Sequence, residues 1–226
     1  MSGLREKRVR SVGLEDLDDL DDIGSSCKTT TTTSIDTLAT PAPECALRSV
    51  GVPLEFHAAT FATKDTAALR HARAWLVAGG VEHGRALGLF GPAGIGKTWS
   101  EAATINAVLV AYDVAERNLF VHERHPVWYS CPALVRDVRS YSTAQETMRR
   151  LRRAILLVID ELTVPDAAAL AVLDEVLSLR HAERLATVFT SNMTAAELAG
   201  ALSDRILDRL RVWSELHEIT GRSLRT

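Results

Sequence analysis

The sequence predicts an α/β fold in which a parallel sheet is covered by helices on both faces. Short apolar runs alternate with helical segments between residues 86 and 201, as in chains that build a sheet from strand–helix units. A glycine-rich loop joins the first apolar run to an alanine-rich helix. The 226 residues, of which 46% are hydrophobic, are enough for one such domain and an appendage. We therefore expect a three-layer αβα sandwich.

Four short segments are the predicted strands, at residues 86–90, 127–130, 155–159 and 186–190. The third segment is apolar throughout, which is typical of a central strand buried on both faces. A polar loop is expected between residue 140 and about residue 147. The predicted helices lie at about residues 65–78, 99–112, 132–140, 167–181, 195–201 and 202–211.

Residues 1–48 have the composition of a flexible tail ahead of a domain that spans residues 49–226. Serine, threonine and proline dominate residues 25–43, which is typical of a linker. Within the tail, apolar residues recur every third position among carboxylates in the segment 14–23. A helix there would present an apolar stripe to a partner. A solvated acidic tail is an equally good interpretation.

Charge and cysteine content exclude several classes of protein. The net charge is −3, and residues 49–226 carry 20 basic and 20 acidic side chains, so any nucleic-acid surface has to be local. Cys27, Cys45 and Cys131 lack the number and spacing of a disulfide framework or a zinc site. The sequence has neither a signal-peptide pattern nor a membrane span. We expect a cytoplasmic protein with no membrane partner.

A complete phosphate-binding loop of the form G-x-x-x-x-G-K-[ST] follows the first predicted strand. Its glycines allow backbone N–H groups to turn towards phosphate oxygens. The lysine can reach the β- and γ-phosphates, and the threonine hydroxyl can bind Mg²⁺. The sequence therefore predicts a nucleoside triphosphate site. Its eight residues are Gly91, Pro92, Ala93, Gly94, Ile95, Gly96, Lys97 and Thr98.

Two carboxylates follow the apolar run 155–159. Asp160 lies at the carboxyl end of that strand, where it would bind Mg²⁺ together with Thr98. The adjacent Glu161 would orient and deprotonate an attacking water. Acidic residues at a strand end are common by themselves, and the phosphate loop that precedes them makes this interpretation much stronger. The pair favours hydrolysis over transfer to a second substrate.

Polar and basic side chains follow the last predicted strand. Asn192 lies where the ligand crevice of an open α/β sheet is expected, so its amide can bond the γ-phosphate or water, or cap the next helix. Arg205 and Arg209 share one helix face, because four positions separate them. They belong either to a salt-bridged helix surface or, in an oligomer, to a site at which one arginine stabilises a neighbour's γ-phosphate.

Together these segments resemble the DnaC/IstB-like branch of the AAA+ ATPases, which contains replicative helicase loaders and transposition helper ATPases. The resemblance covers residues 50–225. It rests on residues 50–53, 91–98, 156–162, 190–192, 204–210 and 221–225. Two departures are Thr163, where the family often has glycine, and Leu224, where it has an aromatic residue.

The resemblance implies an AAA+ P-loop NTPase domain without the usual C-terminal helical lid. It implies hydrolysis of ATP with Mg²⁺, and a homo-oligomer with ATP at the subunit interfaces. Asn192 would be the first sensor, Arg209 the arginine finger and Arg225 the second sensor. The implied function is a helicase loader that delivers a replicative helicase to single-stranded DNA. The alternatives are a transposition helper that acts with a transposase and, with less support, a small-molecule kinase.

Members of this branch contact single-stranded DNA between the phosphate loop and the Asp-Glu strand. By that resemblance, Arg136, Arg139 and Tyr141 are the expected DNA contacts. Trp128 is expected in the core of its strand. The arginines at 149, 150, 152 and 153 belong either to the DNA surface or to a solvated helix face.

Overall fold

A computed structural model describes residues 38–111, 124–221 and 223. Its centre is a five-stranded sheet with the order β2-β3-β4-β1-β5, in which every pair is parallel. The strands are β1 (Ala86–Phe90), β2 (Val127–Ser130), β3 (Leu156–Asp160), β4 (Ala186–Ser191) and β5 (Ser214–Glu218).

Helices connect the strands and cover both faces of the sheet. Their bounds are α1 (Glu44–Val50), α2 (Ala67–Val77), α3 (Lys97–Ala111), α4 (Cys131–Arg139), α5 (Ala144–Arg153), α6 (Ala167–Ala182), α7 (Ala195–Ala201) and α8 (Asp204–Trp213). A short 3-10 turn, Leu54–Phe56, lies between α1 and α2.

Alternating side chains of each strand divide the apolar core into two halves. In β3, Leu156 and Val158 belong to the half covered by α1, α2 and α3, while Leu157 and Ile159 belong to the half covered by α4, α5, α6 and α8. This alternation follows from the two-residue period of a strand. The predicted αβα sandwich is confirmed, and the described residues that follow β5 contain no helix.

Two elements differ from the sequence prediction. The strand β5 was not predicted, because its residues Ser-Glu-Leu-His-Glu form no apolar run. It lies at the edge of the sheet, and its side chains are only partly buried, so they can be polar. The helix α5 begins at Ala144, inside the predicted loop.

The N-terminal boundary lies earlier than the predicted residue 49. Leu38, Ala46 and Leu47 are buried in the same core as α2 and α3. The Ala42 N–H donates to Asn106 Oδ1 at 2.8 Å, which ties this segment to α3. The predicted partner-binding helix at 14–23 lies outside the described residues.

Arg180, near the end of α6, is fully buried and joins three elements. It donates to Thr187 Oγ1 at 2.8 Å and to the Leu151 carbonyl at 2.5 Å. It also bonds the carbonyls of Ala154 and Ala186. Burial lowers its pKa to about 9, which leaves the guanidinium charged at neutral pH. The group therefore holds α6 against the end of α5 and the start of β4.

Among the described residues, none of the helices has both the length and the apolar content needed to cross a membrane.

Candidate active site

The carboxyl ends of β1, β3 and β4 meet at one edge of the sheet. Phe90, the last residue of β1, pairs with Ser191 at the end of β4. The neighbouring β3 ends at Asp160, which pairs with Ser130 of β2. Parallel pairing therefore brings the phosphate loop, Asp160 and Asn192 to the same edge, as the sequence predicted.

Gly91 opens the phosphate loop in a conformation that only glycine adopts readily. Its φ is 134°, and a Cβ at this position would lie 2.1 Å from the carbonyl oxygen of Ile219. The Gly91 N–H donates to the Ser191 carbonyl at 3.2 Å. Gly94 and Gly96 also have positive φ, at 83° and 92°. The backbone thus curls as a phosphate-binding loop requires.

Lys97 lies inside this loop and is only 6% exposed. Its ammonium donates to the carbonyls of Gly91 and Pro92 at 2.7 and 2.8 Å. A third bond, of 3.0 Å, goes to Asn192 Oδ1. The positive charge is therefore held where phosphate oxygens would lie, between the loop and the end of β4.

Thr98 and Asp160 are in direct contact. The Thr98 hydroxyl donates to Asp160 Oδ1 at 3.1 Å, and the Thr190 hydroxyl donates to the same oxygen, also at 3.1 Å. Hydroxyl and carboxylate oxygens are the ligands that Mg²⁺ prefers. The two residues predicted to hold that ion are thus adjacent and oriented by a third.

Glu161 is exposed and has a φ of 56°, which is rare for a residue with a side chain. Its N–H donates to Thr190 Oγ1 at 3.1 Å, and the next N–H, of Leu162, donates to the Thr190 carbonyl at 2.6 Å. These bonds hold the turn in its strained form. Such strain is concentrated at functional sites.

Asn192 contacts Lys97 and does not cap the helix that follows. The N-cap of α7 is Thr194, whose hydroxyl accepts from the Glu197 N–H while the Glu197 carboxylate accepts from the Thr194 N–H. The capping alternative therefore applies to Thr194, and the Asn192 amide remains at the phosphate loop.

Glu101, one turn after Thr98 in α3, is a site residue that the sequence analysis missed. It is completely buried, and its carboxyl group lies against Asp160 and Thr190 without a well-aligned hydrogen bond. Burial and the negative charge of Asp160 raise its pKa well above 4.5, against the opposing effect of Lys97. A proton on one carboxyl would let Glu101 and Asp160 share a hydrogen bond.

Arg205 and Arg209 lie on α8 and face Asp174 of α6 in the same chain. Arg205 Nη1 is 3.5 Å and Arg209 Nη1 is 3.8 Å from the Asp174 carboxylate. Arg205 is largely exposed, whereas Arg209 is 23% exposed. The salt-bridged surface is thus present within the chain, and the role of Arg209 towards a neighbour stays a prediction. Arg225 lies outside the described residues.

Arg136 and Arg139 line a groove of about 580 Å³ between α4 and the start of α6. The groove is otherwise lined by Cys131, Pro132, Val135, Ser140, Thr163, Pro165, Asp166 and Ala169. Tyr141 follows α4 and is fully exposed. Arg136 and Arg139 therefore share one surface groove, and Tyr141 follows them in the chain without lining it.

Trp128 and two arginines of α5 have contacts within the chain. Trp128 is 5% exposed and belongs to the core, as predicted. Arg149 pairs with Glu146, and Arg152 pairs with Glu183. The arginines of α5 thus include a solvated, salt-bridged face.

Sequence comparison assigns the chain to a family. The family model described as IstB-like ATP binding protein matches residues 61–226. The chain belongs to this family. Curated protein sequences contain no significant match. As an IstB-like protein the chain is an ATPase of the AAA+ type with ATP as its substrate, and the comparisons give the kinase alternative no support.

Solved structures share the fold of this IstB-like chain. The DnaC helicase loader matches with a TM-score of 0.60 and 18% identity, over 74% of this chain and 100% of that one. DnaI matches with a TM-score of 0.58 and 27% identity, over 77% and 95% of the two chains. The replication initiator DnaA bound to AMPPCP and single-stranded DNA matches with a TM-score of 0.59 and 15% identity, over 76% of this chain and 52% of that one.

We expect the Glu101→Gln variant to be more stable than the wild type at pH 8, with a smaller difference at pH 5. The unfolded chain releases the Glu101 proton near pH 4.5, while the folded chain retains it to higher pH. Rising pH therefore lowers the stability of the wild type relative to a glutamine variant. Thermal unfolding at several pH values measures the difference.

The matched control is Glu146→Gln. This exposed carboxylate accepts from Arg149, which lowers its pKa, so its substitution should show at most a small pH effect of the opposite sign. A stability difference for Glu101→Gln that does not change with pH would contradict the assignment.

Glu161 offers a test in which activity and stability change in different directions. Glu161→Gln should lower ATP hydrolysis by about 10²-fold or more, because a general base is lost, with little change in stability. Glu161→Gly should be equally inactive and more stable by about 0.5 to 1 kcal/mol, since glycine relieves the positive φ at some cost in chain entropy. Steady-state hydrolysis and urea unfolding measure the two effects. Normal turnover in Glu161→Gln would exclude Glu161 as the base.

Proposed function

We propose that this protein is a helicase loader, an ATPase that binds single-stranded DNA and delivers a replicative helicase to it. The observation that carries the proposal is the fold shared with the DnaC helicase loader over the whole of that chain. The similarity to DnaI, at 27% identity, supports it. The contacts among Lys97, Thr98, Asp160 and Asn192 at one edge of the sheet support ATP binding at this site.

Thr98 and Asp160 would hold Mg²⁺, which neutralises the charge of the β- and γ-phosphates when it is bound. The 3.1 Å contact between the two side chains supports this pairing of ligands. Lys97 would exchange its contacts with the Gly91 and Pro92 carbonyls for phosphate oxygens. Because Asn192 Oδ1 accepts from Lys97 at 3.0 Å, its amide would be close to the phosphate that Lys97 binds.

Glu161 would take the proton of the attacking water, with its backbone fixed by Thr190. Asn192 would then distinguish ATP from ADP by the presence of the γ-phosphate. Arg225 is the proposed second sensor. The chain's own residues would thus bind the nucleotide, activate the attacking water and detect whether the γ-phosphate is present.

We place the second half of each ATP site on a neighbouring copy of the chain. Arg209 would lie opposite the γ-phosphate of that neighbour, as arginine fingers do. Within the chain its Nη1 contacts Asp174 at 3.8 Å and donates to the Arg205 carbonyl at 3.2 Å, and both contacts would be exchanged for the neighbour's phosphate. Homo-oligomerisation with ATP at the interfaces is part of this proposal.

Single-stranded DNA would run past Arg136, Arg139 and Tyr141. Arginine neutralises phosphates, and an exposed tyrosine can stack on a base. The fold shared with a DnaA bound to single-stranded DNA supports a DNA partner in general terms. The groove between α4 and α6 supplies the surface.

A transposition helper that acts with a transposase is the second candidate function. The family model that matches residues 61–226 carries the name IstB-like, which favours it. Both functions use the same ATP site and differ in the protein partner. The partner-binding helix proposed at residues 14–23 is therefore the segment to test.

Arg209→Ala should lower ATP turnover of the assembled protein by about 10³-fold, by analogy with arginine fingers of other nucleotide hydrolases. Arg205→Ala is the matched control, because Arg205 contacts the same Asp174 and its loss should have little effect. Mixing Arg209→Ala with Glu161→Gln protein should restore activity, since some interfaces then combine an intact Glu161 with an intact Arg209. Failure of the mixture to recover any turnover would contradict a finger supplied by the neighbour.

Capture of a purified replicative helicase tests the loader function. The wild-type chain should retain the helicase, and the Leu17→Asp, Leu20→Asp double variant should lose it, because the apolar stripe is interrupted. Thr30→Asp with Thr32→Asp adds the same charge outside the stripe and should bind normally. Stimulation of a cognate transposase without any helicase capture would favour the helper function and overturn the loader proposal.

A further inference from the structure

The pocket at the phosphate loop continues beyond the residues that phosphates need. Besides the loop, Glu161, Thr190 and Asn192, its lining includes Phe56, Lys64 and Trp99. We call Phe56 and Trp99 the aromatic wall. None of the three residues has a role in the hydrolysis described above.

Trp99 occupies a fixed position in this wall. It follows Thr98 directly in α3, so its backbone moves with the phosphate loop. Its indole N–H donates to Thr63 Oγ1 at 3.1 Å, and Phe56 packs edge to face against it, with ring centroids 6.3 Å apart and planes at 82°. The half-exposed ring is thereby held in one orientation beside the pocket.

Phe56 is itself supported from the core. It stacks on Trp128 with a centroid distance of 6.4 Å and planes at 20°, and Trp128 is almost completely buried. A rigid aromatic surface of this kind needs little ordering when a ligand binds. The wall is therefore preformed.

One face of the Trp99 ring is covered by Lys64. The ammonium lies 3.7 Å from the ring centroid, which is a cation–π contact. Lys64 is exposed, so water competes for its charge and the contact is easily exchanged. A flat, neutral π system is the kind of ligand that would replace an ammonium on an indole face.

We propose that Trp99 is the stacking platform for the purine base of the bound nucleotide, and that Lys64 covers the platform until the base arrives. This inference rests on the proposed binding of a triphosphate at Lys97 and Thr98. The base then displaces the ammonium, which stays beside the pocket as an additional positive charge. Base recognition thus comes from the aromatic wall and phosphate recognition from the loop.

The experiment compares two probes, ATP and inorganic tripolyphosphate, each with Mg²⁺ and measured by titration calorimetry. The affinity for ATP divided by the affinity for tripolyphosphate isolates the contribution of the nucleoside, and we call this quotient the ratio. Trp99→Leu should reduce this ratio by about 10-fold or more, on the scale of base–aromatic stacking, with the affinity for tripolyphosphate within about 2-fold of the wild type. Trp99→Phe keeps an aromatic ring and should retain most of the ratio.

Lys64→Met should raise the ratio, because the base no longer has to displace the ammonium. Arg70→Met is the matched control: it removes a positive charge from the same surface, where Arg70 pairs with Asp65, and should leave the ratio unchanged. An unchanged ratio in Lys64→Met would overturn the covering role of Lys64.

Three further outcomes distinguish a failure of the base platform at Trp99 from a failure of the triphosphate site. Equal losses of ATP and tripolyphosphate affinity in Trp99→Leu would make Trp99 a structural residue and overturn the proposal. A wild-type ratio near one would overturn the platform and leave the ATPase site intact. Absence of binding of both probes to the wild type would contradict the phosphate site itself.

Discussion

Thr190 and Ser191, at the end of β4, carry the hydrogen bonds on which the site depends. The Thr190 hydroxyl accepts from the Glu161 N–H and donates to Asp160. The Ser191 carbonyl accepts from the Gly91 N–H, and its hydroxyl donates to the Leu162 carbonyl. Two adjacent residues thus join the phosphate loop to the carboxylate strand. Because both are fully buried, water does not compete for these bonds.

Three ionisable side chains, Lys97, Glu101 and Asp160, interact next to this junction. The negative charge of Asp160 raises the pKa of the buried Glu101, and the positive charge of Lys97 opposes this shift. Burying a carboxylate is costly, so the tertiary packing that places Glu101 beside Asp160 raises the pKa of Glu101.

The sequence was sufficient for the parts of the fold that repeat a simple pattern. The runs that became β1 and β3 are almost entirely apolar because both faces of these strands are buried, and the phosphate loop is a contiguous set of residues. The strand β5 escaped prediction because it lies at an edge and its side chains are mostly polar. Its pairing with β1 is a long-range contact that leaves no local trace.

Glu101 escaped for a different reason. It is the one acidic residue in the α3 segment and shares a helix face with Ile105 and Leu109. This four-residue spacing indicates a buried position. Its placement beside Asp160, however, depends on tertiary packing. The same holds for Asp174, whose contact with Arg205 and Arg209 joins two helices distant in sequence. Side chains that act across elements are visible only once the elements are placed.

The carbonyl cage around Lys97 has a thermodynamic consequence. The loop is already ordered by its own ammonium, through bonds to Gly91, Pro92 and Asn192. Association of a phosphate is then an exchange of one set of charged hydrogen bonds for another, with little loss of backbone entropy. The heat of binding then reflects the difference between the two sets of hydrogen-bond acceptors, and the loop is ordered before the phosphate binds.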